Sequence, residues 1–245
     1  MNKSLFYSLL ILFLISISSS TKFRSNSLSL ISSVPYKRIN ASMLKESFGL
    51  KNFYVIDTRE VPTIALGYIS KSLIIPNSMF KWLPSVVPKL AKIIIITDKN
   101  KYISTMKRYN SLKKYEIYGY CFYDEVIKYP YFNIEKIEYD PNTYESIQNI
   151  IKSKGNIIDI REPKEYKETG VIKEAKLIPM STFMEKNYLN IPTNGNVYVY
   201  CYGGTRAVVA MSFIKRAGYT NKFFIMKLGI SNAIKEKYPL VPYSE

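Results

Sequence analysis

One stretch of this chain combines a nucleophile with the means to activate it: Cys201-Tyr202-Gly203-Gly204-Thr205-Arg206. A cysteine attacks as its thiolate, so the surroundings of the thiol decide its reactivity. The 245 residues include no histidine. That removes Ser-His and Cys-His catalysis and His-ligated metal sites in one step. Activation is left to backbone N–H groups and to Lys and Arg, and this loop offers both. Its two glycines allow positive φ and clear side chains from the path, so several N–H groups can converge on one anion. A helix starting after the loop adds positive potential, and Arg206 adds a permanent charge. The expected result is a thiol pKa below the free value of about 8.5 and a cradle for a negative group carried on the sulfur.

The other cysteine is Cys121. Two cysteines exclude a disulfide framework and a zinc site built from several thiolates, although one bridge between them is possible. Neither a metal nor any other cofactor is expected. Cys121, within Tyr120-Cys121-Phe122, reads as a buried apolar cysteine. Its alternative role is that of a resolving thiol beside Cys201.

The elements that must position Cys201 are legible on both sides. Asn196-Val197-Tyr198-Val199-Tyr200 reads as a buried parallel strand ending at the cysteine. Arg206 to Ala217 has helical spacing, with Val209, Phe213 and Ile214 on one face and Gly218 as the stop. Phe223-Phe224-Ile225-Met226 is the next strand, and Met226-Lys227 its end. Strand, helix, strand predicts an α/β fold with a parallel sheet flanked by helices. The loop then lies at the carboxyl edge of the sheet, where such folds bind ligands.

The pattern occurs twice. Ile56-Asp57-Thr58-Arg59-Glu60 matches Ile158-Asp159-Ile160-Arg161-Glu162, Ile75-Pro76 matches Ile178-Pro179, and Ile96-Thr97 matches Tyr200-Cys201. The offset is 102 at Asp57, 103 at Pro76 and 104 at Thr97. An offset of this size that holds within two residues predicts two units of domain length, 41–136 and 141–245, with a linker near Asp140-Pro141-Asn142. The first unit has Thr97-Asp98-Lys99-Asn100-Lys101-Tyr102 where the second has its cysteine loop. It lacks the nucleophile and both glycines.

These motifs together resemble a rhodanese domain, and the whole chain resembles a tandem-domain sulfurtransferase. The resemblance is carried by Asp159-Ile160-Arg161-Glu162 with Glu165-Tyr166, by Gly170-Val171-Ile172 before Leu177-Ile178-Pro179, by the loop Cys201 to Arg206 with Ala207, and by Gly218-Tyr219 and Leu228-Gly229-Ile230. It covers about 140–240, and 40–135 more weakly. It implies two tandem rhodanese-like domains, the first catalytically silent. It also implies that Cys201 takes a sulfane sulfur from a donor, becomes a persulfide and passes the sulfur to an acceptor. The backbone of Tyr202, Gly203, Gly204 and Thr205 would hold the persulfide. Arg206 would stabilise the loop or orient an anionic donor, and Asp159 and Arg161 would be a structural pair near the site. The implied partners are a small sulfur donor (thiosulfate or a persulfide) and a thiol acceptor, with a protein persulfide as a further candidate.

Departures from the family pattern narrow this. Val171 stands where members usually carry histidine. Leu228 replaces a glycine, and Ala233 lies near a usual tryptophan position. Tyr202 replaces a basic residue common in thiosulfate-using members, and Arg206 is unusual for mercaptopyruvate enzymes. A cysteine phosphatase would use a similar cradle, but its loop is one residue longer than the four residues between Cys201 and Arg206 here. The other competing reading is a rhodanese-like binding or redox-sensing module without turnover. Trp82 and the tyrosines read as core and interface.

The remaining features concern address. Met1-Asn2-Lys3, an apolar run from Leu5 to Ile17 and Ser18-Ser19-Ser20 describe a signal peptide over 1–20. Residues 21–40 contain Ser, Lys, Arg and Asn without Asp or Glu, as in a transit segment or linker. Entry to the secretory pathway is expected, with onward transport to a secondary plastid as one destination. No stable membrane insertion is expected after cleavage. The net charge is +16, but the lysines are dispersed and form no basic helix, so nucleic acid is not an expected partner.

Overall fold

The computed structural model describes residues 36–244. The expected signal peptide, and residues 21–35 of the segment after it, lie outside the described residues. The first half begins with β1 (Lys37–Arg38), α1 (Ala41–Ser47), β2 (Phe53–Asp57), α2 (Val61–Ile64), β3 (Tyr68–Ile69) and β4 (Leu73–Ile74). It continues with β5 (Lys92–Thr97), α3 (Tyr102–Asn110), β6 (Glu116–Phe122), α4 (Tyr123–Val126) and β7 (Ile134–Glu135). The second half comprises β8 (Tyr139–Asp140), α5 (Tyr144–Lys152), β9 (Asn156–Asp159), α6 (Pro163–Thr169) and β10 (Lys176–Leu177). It closes with β11 (Val197–Tyr200), α7 (Thr205–Arg216), β12 (Phe223–Met226) and α8 (Gly229–Lys235).

The predicted α/β architecture is present. Two five-stranded sheets run β1-β6-β5-β2-β4 and β8-β12-β11-β9-β10, and β3 pairs antiparallel with β7. All pairings within these two sheets are parallel. In both, the first strand lies at one edge and the strand before the loop of interest lies at the centre. The central strands are Lys-Ile-Ile-Ile-Ile-Thr and Val-Tyr-Val-Tyr. β-branched and aromatic residues suit a sheet covered on both faces.

Register places the repeated motifs at matching points. Asp57 pairs with Ile96, and Asp159 with Tyr200. Thr97 and Cys201 each follow that paired residue, so they occupy equivalent positions at the sheet edge.

Two boundaries differ from expectation. Lys37 and Arg38 pair with Gly119 and Tyr120, so the sheet recruits residues before 41. Tyr139 and Asp140 pair with Ile225 and Met226, so the first residue of the anticipated linker ends an edge strand. Short segments of this kind are invisible to periodicity because two residues show no period.

The two halves share one apolar core, which joins Ile56, Leu73 and Ile95 with Ile158, Val199 and Val209. Helix α7 is the seam: the Ile74 N–H donates to Ser212 Oγ at 2.9 Å. Among the described residues no helix is long and apolar enough to cross a membrane.

Candidate active site

Cys201 leaves β11 and is 2% exposed. The chain then turns through Tyr202 and Gly203 to Gly204, which caps α7 with φ +93. This left-handed value favours glycine. It aims the Gly204 N–H at the Cys201 sulfur, with N···Sγ 3.1 Å. Helix α7 has 12 residues, so the sulfur sits at the positive end of a helix dipole. Gly203 differs: a Cβ there would meet nothing within 4 Å. Its small size leaves the loop tip open and does not relieve crowding. Tyr202 is 51% exposed and projects to solvent.

A second helix start holds the loop from behind. Leu228 and Gly229 both take positive φ, 58 and 54. This turn lets Ile230 N–H donate to Cys201 O (2.8 Å) and Ser231 N–H to Tyr202 O (3.2 Å). A Cβ on Gly229 would lie 2.0 Å from Cys201 O, so only glycine permits this approach. Asn142 secures the turn by donating from Nδ2 to the carbonyls of Lys227 (3.0 Å) and Gly229 (2.6 Å). Ala233 is fully buried on the inner side of this helix start.

Arg206, in the first turn of α7, forms a bidentate pair with Glu165: Nη1 to Oε2 at 2.6 Å and Nη2 to Oε1 at 2.5 Å. Glu165 also accepts from the Glu162 N–H at 3.0 Å as part of a capping box on α6. Burial works against both charges, but the pair outweighs it. Arg206 is raised above its ordinary pKa by Glu165 and Cys201. Glu165 is held below the usual carboxylate range by Arg206 and the Glu162 N–H. The guanidinium carbon lies 5.3 Å from the ring centroid of Trp82. That residue comes from the first half, and its indole N–H is buried without a hydrogen bond.

Asp159 and Arg161 form a separate, fully buried pair, with Nη2 to Oδ2 at 2.6 Å and Nε to Oδ1 at 3.0 Å. Arg161 also donates to Gly170 O at 2.8 Å. The first half repeats this arrangement: Arg59 Nη2 to Asp57 Oδ2 at 2.7 Å and to Gly67 O at 2.8 Å. Each pair ties the end of a central-sheet strand to the following glycine loop.

The structure therefore brings Cys201, Gly204 and Arg206 together, turns Tyr202 outward and places Asp159 and Arg161 as scaffold. Sequence assigns no site role to three contributors: Glu165 as the partner of Arg206, Asn142 as the brace of the Gly229 turn, and Trp82 beside Arg206. The capping-box pair Glu162 and Glu165 was the available signal for the first. Cys121 belongs to a different apolar cluster from Cys201, and both cysteines are free.

Against this geometry, residues 143–236 match the family described as Rhodanese-like domain, so such a domain is present here. A tRNA uridine(34) hydroxylase of Buchnera aphidicola is 32% identical over 110 residues, which is 40% of this chain. The chain spans 35% of the length of that relative. A rhodanese-related protein from Thermoplasma volcanium is similar to 43% of this chain over its own full length, at 28% identity and TM-score 0.37. The thiosulfate sulfurtransferase from Pseudomonas aeruginosa is similar over 85% of this chain and 44% of its own, at 15% identity and TM-score 0.36.

Proposed function

We propose that this protein is a sulfurtransferase of two tandem rhodanese-like domains, in which Cys201 carries the sulfur and the first domain is catalytically silent. One observation supports this most: the Cys201 sulfur accepts the Gly204 N–H at the start of α7. An N–H aimed at sulfur, with a helix dipole behind it, is suited to holding the outer, negative sulfur of a persulfide.

The reaction balances without a cofactor. The Cys201 thiolate attacks the outer sulfur of the donor. A new S–S bond forms at Sγ while the donor's own S–S bond breaks. The leaving electron pair departs as sulfite from thiosulfate, or as a thiolate from a persulfide. An acceptor thiolate then attacks the outer sulfur of the Cys201 persulfide and takes it, returning Cys201 as thiolate. The loop N–H groups accommodate the added negative sulfur, and Arg206 supplies positive potential near it. Arg206 is committed to Glu165, so its role is to hold the loop and set the field. With Tyr202 turned outward in place of a basic side chain, a persulfide donor is favoured over thiosulfate.

Turnover tests this. The full chain, given a persulfide donor and cyanide as acceptor, is expected to form thiocyanate, and the Cys201→Ala variant is not. Equal rates from both would overturn the proposal. A non-catalytic module is the second reading, favoured by the near-complete burial of Cys201; it predicts no thiocyanate from wild type. The leader is proposed to direct the chain into the secretory pathway and onward to a plastid. A fluorescent fusion of the first forty residues distinguishes plastid delivery from plain secretion.

A further inference from the structure

Where the two halves meet there is a cleft of about 440 Å³ whose charge is of one sign. Lys51, Lys71, Lys215 and Arg216 line it, and no acidic residue does. Lys215 is neutralised by an ion pair with Glu135. Arg216 is not. Its Nη2 donates to Phe53 O (2.8 Å), its Nη1 reaches Lys71 O (3.4 Å), and its guanidinium carbon lies 4.5 Å from the Tyr54 ring centroid. No carboxylate among the described residues pairs with it. Burial lowers its pKa from the ordinary value, and Tyr54 offsets this only in part. Lys51 and Lys71 are exposed and likewise have no acidic partner among the described residues.

A half-buried guanidinium without a counter-ion costs stability unless an anion joins it. Most carbonyls at the ends of α1 and α7, which would repel an anion, already accept an N–H. Gly49 and Leu50 N–H take those of Glu46 and Ser47, and Ala217 and Gly218 N–H take those of Phe213 and Lys215. Lys51, Lys71, Lys215 and Arg216 supply the full charges that line the cleft. Arg and Lys around one opening suit phosphate oxygens. Three uncompensated cations suit an anion with several charges close together, and the volume is that of a small-molecule site.

We propose that this cleft binds a diphosphate, either inorganic or as part of a larger organic molecule. The site lies on the seam between the halves, so its occupant would bridge Lys51 and Lys71 of one to Arg216 of the other.

Calorimetric titration of the full-length protein with inorganic pyrophosphate, and separately with ADP, tests this. Saturable binding to one site is expected. ADP binding tighter than pyrophosphate identifies an organic diphosphate, and the reverse order an inorganic one. The double variant K51E/K71E, changed only at exposed side chains, is expected to bind at least about tenfold more weakly. K152E/K173E makes the same charge change at exposed lysines outside the cleft and is expected to bind like wild type. Absence of saturable binding to either ligand, or equal weakening in the two double variants, overturns the proposal.

Discussion

The two halves share a scaffold and differ at two junctions along its edge. Each has a parallel sheet of the same strand order, a buried Asp-Arg pair at a strand end and a glutamate that binds a following serine. Glu60 accepts from Ser78 Oγ at 2.7 Å, and Glu162 from Ser181 Oγ at 2.6 Å. Yet after Thr97 the first half runs into a short 3-10 turn, Lys99–Lys101, without a glycine. After Cys201 the second half folds through Gly204 so that an N–H meets the sulfur. The junction after the neighbouring strand differs as well. In the first half Tyr123 stacks on Arg59, with the guanidinium carbon 3.2 Å from the ring centroid. In the second, Leu228 and Gly229 turn left-handed and lock the cysteine loop. The comparison separates what holds a fold together from what shapes the sheet edge around Cys201. The Asp-Arg pair belongs to the first kind, and the Gly204 and Gly229 turns to the second.

The sharpest break of this comparison is at the equivalent pair Thr97 and Cys201. Cys201→Ala is expected to lower sulfur-transfer turnover by at least about a thousandfold, while Thr97→Ala leaves it unchanged. Steady-state assays of both variants check this. Next come the scaffold pairs. Asp57→Asn and Asp159→Asn each leave a buried arginine without its counter-ion, so each should cost about 3–5 kcal/mol in denaturant unfolding. A large loss from one and not the other would mean that the pairs are not equivalent scaffolds.

Glycine substitutions sharpen the loop half of the comparison. Gly229→Ala forces a Cβ toward Cys201 O and is expected to cost about 2–3 kcal/mol together with turnover. Gly203→Ala, with open space around it, should stay within about 0.5 kcal/mol of wild type. Thermal unfolding and turnover of the two variants decide this.

The smallest effect is the pH dependence of the Glu165–Arg206 pair. Glu165 has a depressed pKa when folded, so its contribution is present above the ordinary carboxylate value of about 4.3. It is lost as pH falls through the lower folded value. The stability difference between wild type and Glu165→Gln is therefore expected to be constant from pH 7 to about pH 5 and to shrink below about pH 4. Unfolding curves at each pH test that sign; a difference that grows on acidification would contradict it.

Much of this was legible in sequence where a residue type has few physical uses. Buried strands announce themselves as Ile-Ile-Ile-Ile or Val-Tyr-Val-Tyr, and the Gly-Gly before a helical pattern marks the cysteine loop. Helix α7 was expected over Arg206 to Ala217 and spans Thr205–Arg216. The two-residue strands β1 and β8 were not legible, because their place depends on partners about eighty residues away. Nor was the brace from Asn142: its donors reach Lys227 and Gly229 across the fold, and an asparagine after proline reads locally as a turn. Trp82 met Arg206 only through packing of one half on the other. The two loop glycines looked alike, and only φ separates Gly204, which needs its freedom, from Gly203, which does not.

The central claim is that sulfur resides covalently on Cys201 and nowhere in the first half. Intact-mass measurement after incubation with a persulfide donor tests it most directly, with peptide mapping to locate the addition. The account predicts the mass of one added sulfur on wild type, mapped to Cys201, and none on Cys201→Ala. No added sulfur on wild type, or the same addition on Cys201→Ala, would contradict it.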